Sequence, residues 1–261
     1  MIDGKKVVCI VQARMGSSRL PGKVLKKIKG HPMIYWVVTR ASKAQCVDQT
    51  IVATTVDRSD DPIYKWCSDK DVVCCRGSEF DVLDRFYRCA RAQNADIVVR
   101  VTGDCPLVDP NLIDDLLREF SAKKVDFAAN RLPPPYLRTF PIGLDVEIAS
   151  FGALEKAWKE AQAVFEREHV MPYLYNEPGR FKTFILDHPI DYGSERWTVD
   201  TPEDLEFIQA VFNELENTDS FSWLEILSIL KAKPHLRAIN AEVRHKHLRE
   251  IDARAGDGEA A

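Results

Sequence analysis

Short apolar runs rich in β-branched residues alternate along this chain with longer stretches whose apolar residues recur at helical spacing. That alternation limits the possible folds more than any other feature. "KVVCIVQA" (6–13), "QTIVATT" (49–55), "DVVCCR" (71–76), "DIVVRVTG" (96–103) and "VDFAAN" (125–130) read as strands, and the continuous run of β-branched and small apolar residues in the first marks it as buried. Helical patterns fill 31–45, 60–69, 78–94 and 109–124. The clearest is 78–94: Phe80, Leu83, Phe86, Tyr87 and Ala90 share one face, and Ser78 is placed to cap its start. Pro32 suits the first position of the helix before it. A βαβα series of this kind predicts an α/β fold with a Rossmann-like, doubly wound, mostly parallel sheet and helices on both faces.

The pattern changes after residue 130. "RLPPPYLRTFPIGLDVEIAS" (131–150) carries four prolines before Gly143 and reads as a loop entering a strand, "GLDVEIA". Helices are expected at about 150–163 and 166–176, and a strand at 181–188. "RWTVDTPEDLEFIQAVFNEL" (196–215) reads as a short strand, an Asp-Thr-Pro turn and a helix with Thr201 as N-cap and Pro202 at N1. With no repeat and no linker, 1–261 reads as a single domain. Within it, 131–196 is a lid or dimer-contact insertion and 216–261 a C-terminal helical extension whose last residues are expected to fray.

Composition narrows the class of partner. A net charge of -4 argues against a general nucleic-acid-binding surface, while leaving room for a local basic site. Seven cysteines without a CxxC or a zinc-finger spacing read as reduced core thiols, and the adjacent Cys74 and Cys75 as strand packing. The apolar N-terminal run is shorter than a secretory signal core, and no stretch approaches a membrane span. The expected location is the cytoplasm, with neither nucleic acid nor membrane as a partner.

The stretch "VQARMGSSRLPGKVL" (11–25) follows the first strand, at the strand edge where doubly wound sheets bind ligands. Gly16 and Gly22 allow tight turns, and the amides around Ser17 and Ser18 could form an anion nest. Arg14 and Arg19 offer fork-shaped donors that match phosphate oxygens, and Lys23 adds a point charge. Neither GxxxxGK[ST] nor GxGxxG is present, so a solvated basic loop is the alternative. Two carboxylates strengthen the phosphate reading. Asp104, in "RVTGDCPLVDP", stands just past the fourth strand, where it suits Mg²⁺ or, alternatively, caps a turn. Asp200, in "RWTVDTPEDL", ends a later short strand with Asp204 close behind, and a capping network is its alternative. One cationic and two anionic features at strand ends fit a nucleoside triphosphate with its metal.

These blocks resemble a known family. "ARMGSSRLPGK" (Ala13–Lys23) is similar to the A-R-x-x-S-x-R-x-P-x-K signature of sugar-acid cytidylyltransferases, the CMP-acylneuraminate and CMP-3-deoxy-manno-octulosonate synthetases among them. "RGSEFDVLDRFY", "RVTGDCPLVDP", "PIGLDVEI", "EREHVMPYLY" and "RWTVDTPEDL" follow in the order seen in the spore-coat polysaccharide biosynthesis branch, so the likeness spans about residues 6–215.

The resemblance implies a fold of the nucleotide-diphospho-sugar transferase type and a homodimer that uses CTP and Mg²⁺. It implies transfer of CMP to an acidic sugar or a phosphate or phosphonate acceptor, with pyrophosphate released, for surface polysaccharide or glycoconjugate synthesis. Ala13, Arg14, Gly16, Ser17, Arg19 and Lys23 then form the nucleotide loop, and Arg14, Lys23 and Asp104 the catalytic set. Asp104 and Asp200 become the metal ligands, and Arg76, Ser78, Asp84 and Arg85 the candidates for base and ribose. Arg131, Arg138, Asp145, Glu147 and His169 are candidates to face the acceptor; the alternative is surface charge for the arginines and a partly buried helix position for His169. Two other functions stay open. A glycosyltransferase using a nucleotide sugar is expected to carry D-x-D, whereas "GDCP" has one Asp. A non-catalytic nucleotide-binding subunit has no use for the metal ligands.

Overall fold

Strand β1 (Val7–Gln12) is an interior strand of the sheet, and its first five residues are fully buried. The chain is seen in a computed structural model that describes residues 1–132, 138–218 and 220–244. Five residues of the proline-rich segment and the expected frayed tail lie outside that range.

A short antiparallel hairpin, β2 (Lys27–Ile28) with β3 (His31–Pro32), leads into α1 (Met33–Ala41). The alternating part continues through β4 (Gln49–Thr55), α2 (Asp61–Asp69), β5 (Cys74–Gly77), α3 (Val82–Ala92), β6 (Ile97–Thr102), α4 (Pro110–Lys123) and β7 (Phe127–Ala129). Then follow β8 (Glu147–Ser150), α5 (Phe151–Glu160), α6 (Val164–His169), α7 (Pro172–Tyr175), β9 (Thr183–Ile185), α8 (Pro202–Glu214) and α9 (Trp223–Ala232).

Among the described residues, seven strands form one sheet in the order β5-β4-β1-β6-β8-β7-β9. The first four are mutually parallel; β8 is antiparallel to both β6 and β7, and β9 is parallel to β7. Alternate residues of β1 face two separate apolar layers. Val7, Cys9 and Val11 pack into a layer shared with Trp36 and Val37 of α1, Ile113 of α4 and Phe207 of α8. Val8 and Ile10 pack with Leu83 and Phe86 of α3 and Leu154 of α5. Burial on both faces is why these strands lack polar alternation. The seven cysteines are free thiols, and burial pushes the Cys9 thiol up to about 12.

Local boundaries depart from expectation at several points. Pro32 is extended (ψ 150°) and belongs to the hairpin, so it precedes the helix and does not open it. Helix α3 starts at Val82 with Asp81 as its cap, because the Ser78 hydroxyl is spent on the Asp81 amide one turn earlier. The third sequence strand starts only at Cys74: Asp71 adopts φ 54° and the Val72 amide bonds back to the Cys67 carbonyl. The expected helix 166–176 is broken between α6 and α7 at Val170, which has φ 72°. "RWTVD" forms no strand; it makes a single bridge, Ile142 to Arg196.

Candidate active site

Two anchors shape the loop after β1. The Ala13 amide continues the sheet pairing to the Ala53 carbonyl, and two residues later the Met15 amide donates to Asp60 (2.7 Å). Asp60 is buried and also accepts from the Thr54 hydroxyl and from the amide and hydroxyl of Thr55. One carboxylate therefore clamps the loop to the end of β4. The Ser17 and Gly22 amides both donate to the Met15 carbonyl, so the Ser17 amide closes the loop internally and is not part of an anion nest. Gly22 needs the left-handed conformation (φ 67°), whereas Gly16 does not. A single 3₁₀ turn follows, and it turns the Lys23 side chain inward.

Asp104 reaches the same place because Gly103 has no side chain. The Gly103 amide donates to the Gln12 carbonyl at 2.8 Å, and a Cβ there would stand 3.0 Å from that oxygen. Asp200 arrives along the other flank. Gly143 (φ 106°) lies so close to residues 197–198 that a Cβ would fall 2.6 Å from the Thr198 nitrogen. The Val199 amide then donates to the Asp104 carbonyl (2.9 Å), which ties the two aspartate segments together.

The Lys23 ammonium is the meeting point. It donates to Asp104 (2.7 Å), to the Val199 carbonyl (2.8 Å) and to Asp200 (2.9 Å). Asp200 also pairs with Arg19 (3.0 Å) and Arg196 (2.9 Å). Arg196 grips the fully buried Asp204 through Nε and Nη2. Asp204 in turn accepts from the amides of Asp200 and Thr201 and from Asn240. Burial alone pushes the Asp200 and Asp204 carboxyls up. Lys23, Arg19 and Arg196 outweigh it at Asp200, and Arg196 and Asn240 at Asp204, so both end below the usual carboxylate range. Burial likewise lowers Lys23, and the two aspartates more than restore it, so the ammonium is held charged. The site is a cationic loop facing two carboxylates.

Two cavities flank Arg14. One, of about 150 Å³, is lined by Gln12, Glu79, Phe80, Arg85, Arg100 and His169 as well as Arg14. The other, of about 110 Å³, reaches Gly16, Thr55, Asp57 and Asp60.

Over residues 8–232 the sequence matches the cytidylyltransferase family. The chain belongs to that family. The spore coat polysaccharide biosynthesis protein SpsF of Bacillus subtilis is 30% identical over 87% of this chain and 95% of its own length. A 3-deoxy-manno-octulosonate cytidylyltransferase of Trichlorobacter lovleyi is 37% identical over a shorter stretch, 44% of this chain and 45% of that one. The structure of a cytidylyltransferase from Leptospira borgpetersenii superposes with a TM-score of 0.84 at 31% identity, covering 93% of this chain and all (100%) of that one. The sheet order described above is thus an α/β nucleotidyltransferase fold.

The remaining sequence candidates of this cytidylyltransferase take different places. Arg76 is spent on the carbonyls of Thr55 (2.7 Å) and Asp57 (2.8 Å) and on Asp61, so it braces the end of β4. Asp84 bonds Arg88 and the indole of Trp158, which joins α3 to α5 away from either cavity. Arg85 is not its ion-pair partner; it is buried and lines the larger cavity. Arg131 and Arg138 both pair with Asp145. Glu147 pairs with Arg100 inside the sheet. His169 joins the larger cavity.

Asp60 and Gln12 were not singled out by the sequence. A buried aspartate beginning "DDPIYKW" looks like a helix cap until the loop is seen to hang from it. Gln12 is the lone polar residue closing an apolar strand, and that is the signal it offered.

Proposed function

We propose that this cytidylyltransferase transfers CMP from CTP to an acidic sugar, as a Mg²⁺-dependent homodimer, for surface polysaccharide or glycoconjugate synthesis. The supporting observation is the Lys23 ammonium shared by Asp104 and Asp200 at the mouth of a loop that also carries Arg14 and Arg19. An acceptor hydroxyl oxygen attacks the α-phosphorus as its proton passes to solvent, the bond from α-phosphorus to the bridging oxygen breaks, and pyrophosphate leaves. The chain supplies no covalent nucleophile. Its contribution is positioning and neutralisation, with Lys23, Arg14 and Arg19 set against the phosphate oxygens.

Asp104 and Asp200 fit a Mg²⁺ ion. Both are oxygen donors, they already share one cationic partner, and nucleotide oxygens complete such a set. Held by Asp104 and Asp200, such an ion would supply Lewis-acid polarisation of the α-phosphate. Lys23, which holds both carboxylates, stands within the same loop as Arg14 and Arg19 and is the cation set to neutralise the phosphates.

A pyrophosphate-release screen tests the reading, with CTP, UTP and GTP each offered against acidic sugars, sugar phosphates and phosphonates, with and without Mg²⁺. Release with CTP, Mg²⁺ and a sugar acid is the expected result. Turnover of a preformed nucleotide sugar without pyrophosphate release would overturn it. Light scattering checks the dimer.

A further inference from the structure

The family match ends at residue 232, yet the chain beyond it reaches the charged network around Asp200. After α9, a short 3₁₀ helix (Pro234–Ile239) packs back against α8, with Leu236 buried in the apolar layer. Arg237 fastens it by donating to Glu195 (2.7 Å) and to the Leu230 carbonyl (2.6 Å). Asn240 follows and is 6% exposed. Its amide nitrogen donates to the Arg196 carbonyl (3.1 Å) and to Asp204 Oδ1 (3.0 Å). A carbonyl and a carboxylate only accept, so the nitrogen has to face them and both of its hydrogens are used.

The donors on Asp204 show what this adds. Oδ2 accepts from Arg196 Nη2 (2.9 Å), the Asp200 amide (2.9 Å) and the Thr201 amide (3.1 Å). Oδ1 accepts from Arg196 Nε (2.9 Å) and from Asn240. Apart from Asn240, these donors all belong to residues 196–201, the stretch that has to be aimed. Backbone bonds tie that stretch to Ile142 and Asp104, but they leave the side chains of Arg196 and Asp200 free to rotate. Side-chain direction is set through Asp204, and Asn240 is the donor that holds Asp204 from outside. Four residues later the Arg244 carbonyl accepts from Arg19 Nη1 (3.3 Å), while Arg19 Nη2 pairs with Asp200 (3.0 Å). The segment 234–244 therefore bears on Asp200 twice, through Asp204 and through Arg19.

We propose that Asn240 is a positioning residue for nucleotidyl transfer: by fixing Asp204 it holds Arg196 and the Asp200 amide so that the Asp200 carboxylate stands at Lys23 and Arg19. This rests on the reaction proposed above, in which Asp200 and those two cations work on the triphosphate. Asn240 lines neither cavity beside Arg14, so its part is exerted through Asp204. A group displaced by about 1 Å in such a site can cost roughly a hundredfold in rate. Arg196 Nε still holds Oδ1 when Asn240 is replaced, so a loss of about tenfold or more is expected.

The test uses the full chain with Asn240→Leu, which removes both donor hydrogens at similar volume, and Asn240→Ser, which keeps one. With a sugar acid that releases pyrophosphate, Asn240→Leu should lower kcat about tenfold or more and leave KM for CTP within about threefold, with Asn240→Ser in between. Hydrogen exchange read by NMR should be about tenfold faster or more at the Asp200 amide, with the buried amides of Val99, Phe207 and Ile208 unchanged. A brace with a merely structural role would loosen those amides too, so uniform acceleration would overturn the proposal. An unchanged kcat, or a loss confined to KM, would overturn it as well. If Asn240→Leu does not fold, Asn240→Ser decides by the same readouts. If the wild type binds CTP but transfers to no acid, the proposed reaction fails by itself. Exchange then decides alone: acceleration confined to Asp200 keeps the positioning role, and none overturns it.

Discussion

Lys23 and Asp200 meet at 2.9 Å although 177 positions separate them in the chain. The same ammonium holds Asp104, so one lysine occupies the position between the two carboxylates that a divalent cation also suits. On the proposed Mg²⁺-dependent reading, lysine and metal would compete for one pair of ligands.

That competition predicts two effects of Lys23→Met. Catalysis should fall at least about a hundredfold, near 3 kcal/mol in the barrier, because a preorganised charge on the phosphates is lost. Mn²⁺ binding without nucleotide, followed by electron paramagnetic resonance, should tighten. Weaker Mn²⁺ binding in the variant would show that the lysine assembles the metal site and does not compete for it.

Asp204 lines neither of the two cavities beside Arg14, yet it anchors Arg196, the Asp200 amide and Asn240. Asp204→Ala should cost about 3 kcal/mol in urea unfolding, since it strands the buried Arg196. A loss below about 1 kcal/mol would mean that Arg196 re-pairs wholly with Asp200.

The pH dependence follows from the same groups. The Asp200 and Asp204 carboxyls lie below the ordinary aspartate value of about 3.9, so both contribute stability in full above that pH. This stability is lost as pH falls through their lowered folded values. Lys23 is raised, so its contribution is present below about 10.4, its ordinary value, and lost at higher pH as the ammonium deprotonates. Melting temperature against pH should fall at both extremes. Lys23→Met should remove part of the alkaline fall, and an unchanged alkaline limb would count against the pairing.

Gly143→Ala should destabilise the fold by about 2 kcal/mol or more and disturb the placement of Asp200, given the 2.6 Å approach to Thr198 and a φ of 106°. Equilibrium unfolding together with pyrophosphate release measures both. A variant of normal stability and activity would mean that the two segments slide apart freely.

Asp60→Ala should weaken CTP binding about tenfold by freeing the Met15 amide from its anchor on β4, with a stability loss of about 2 kcal/mol. Calorimetry and melting separate the two. Tight CTP binding in a destabilised variant would confine Asp60 to a structural role.

The order of strands and helices was legible because it is local. Continuous apolar runs such as "VVCIV" suit a strand covered on both sides, and 3.6-residue spacing suits α3. The loop chemistry was legible for a similar reason, since glycines, serines and three cations stand within a few residues of each other. Boundaries were less so: Ser78 and Asp81 are both good caps, and the choice between them depends on which amide each finds in the folded turn. Arg85 and Arg76 look alike as charges in "RGSEFDVLDR". One is buried on a cavity wall and the other spent on backbone carbonyls. No local rule distinguishes them, because burial is set by what packs on α3 from elsewhere.

By itself the sequence determined the layered α/β scaffold and the cationic loop, since both follow from periodicity and composition over short windows. Only the tertiary structure decided which charges meet. The sheet order brings the ends of β1 and β6 together, and the Gly103 and Gly143 contacts let residues 23, 104 and 200 converge on one ammonium. Electrostatic partnership depends on distance in space, and distance in space between remote segments is a property of the fold.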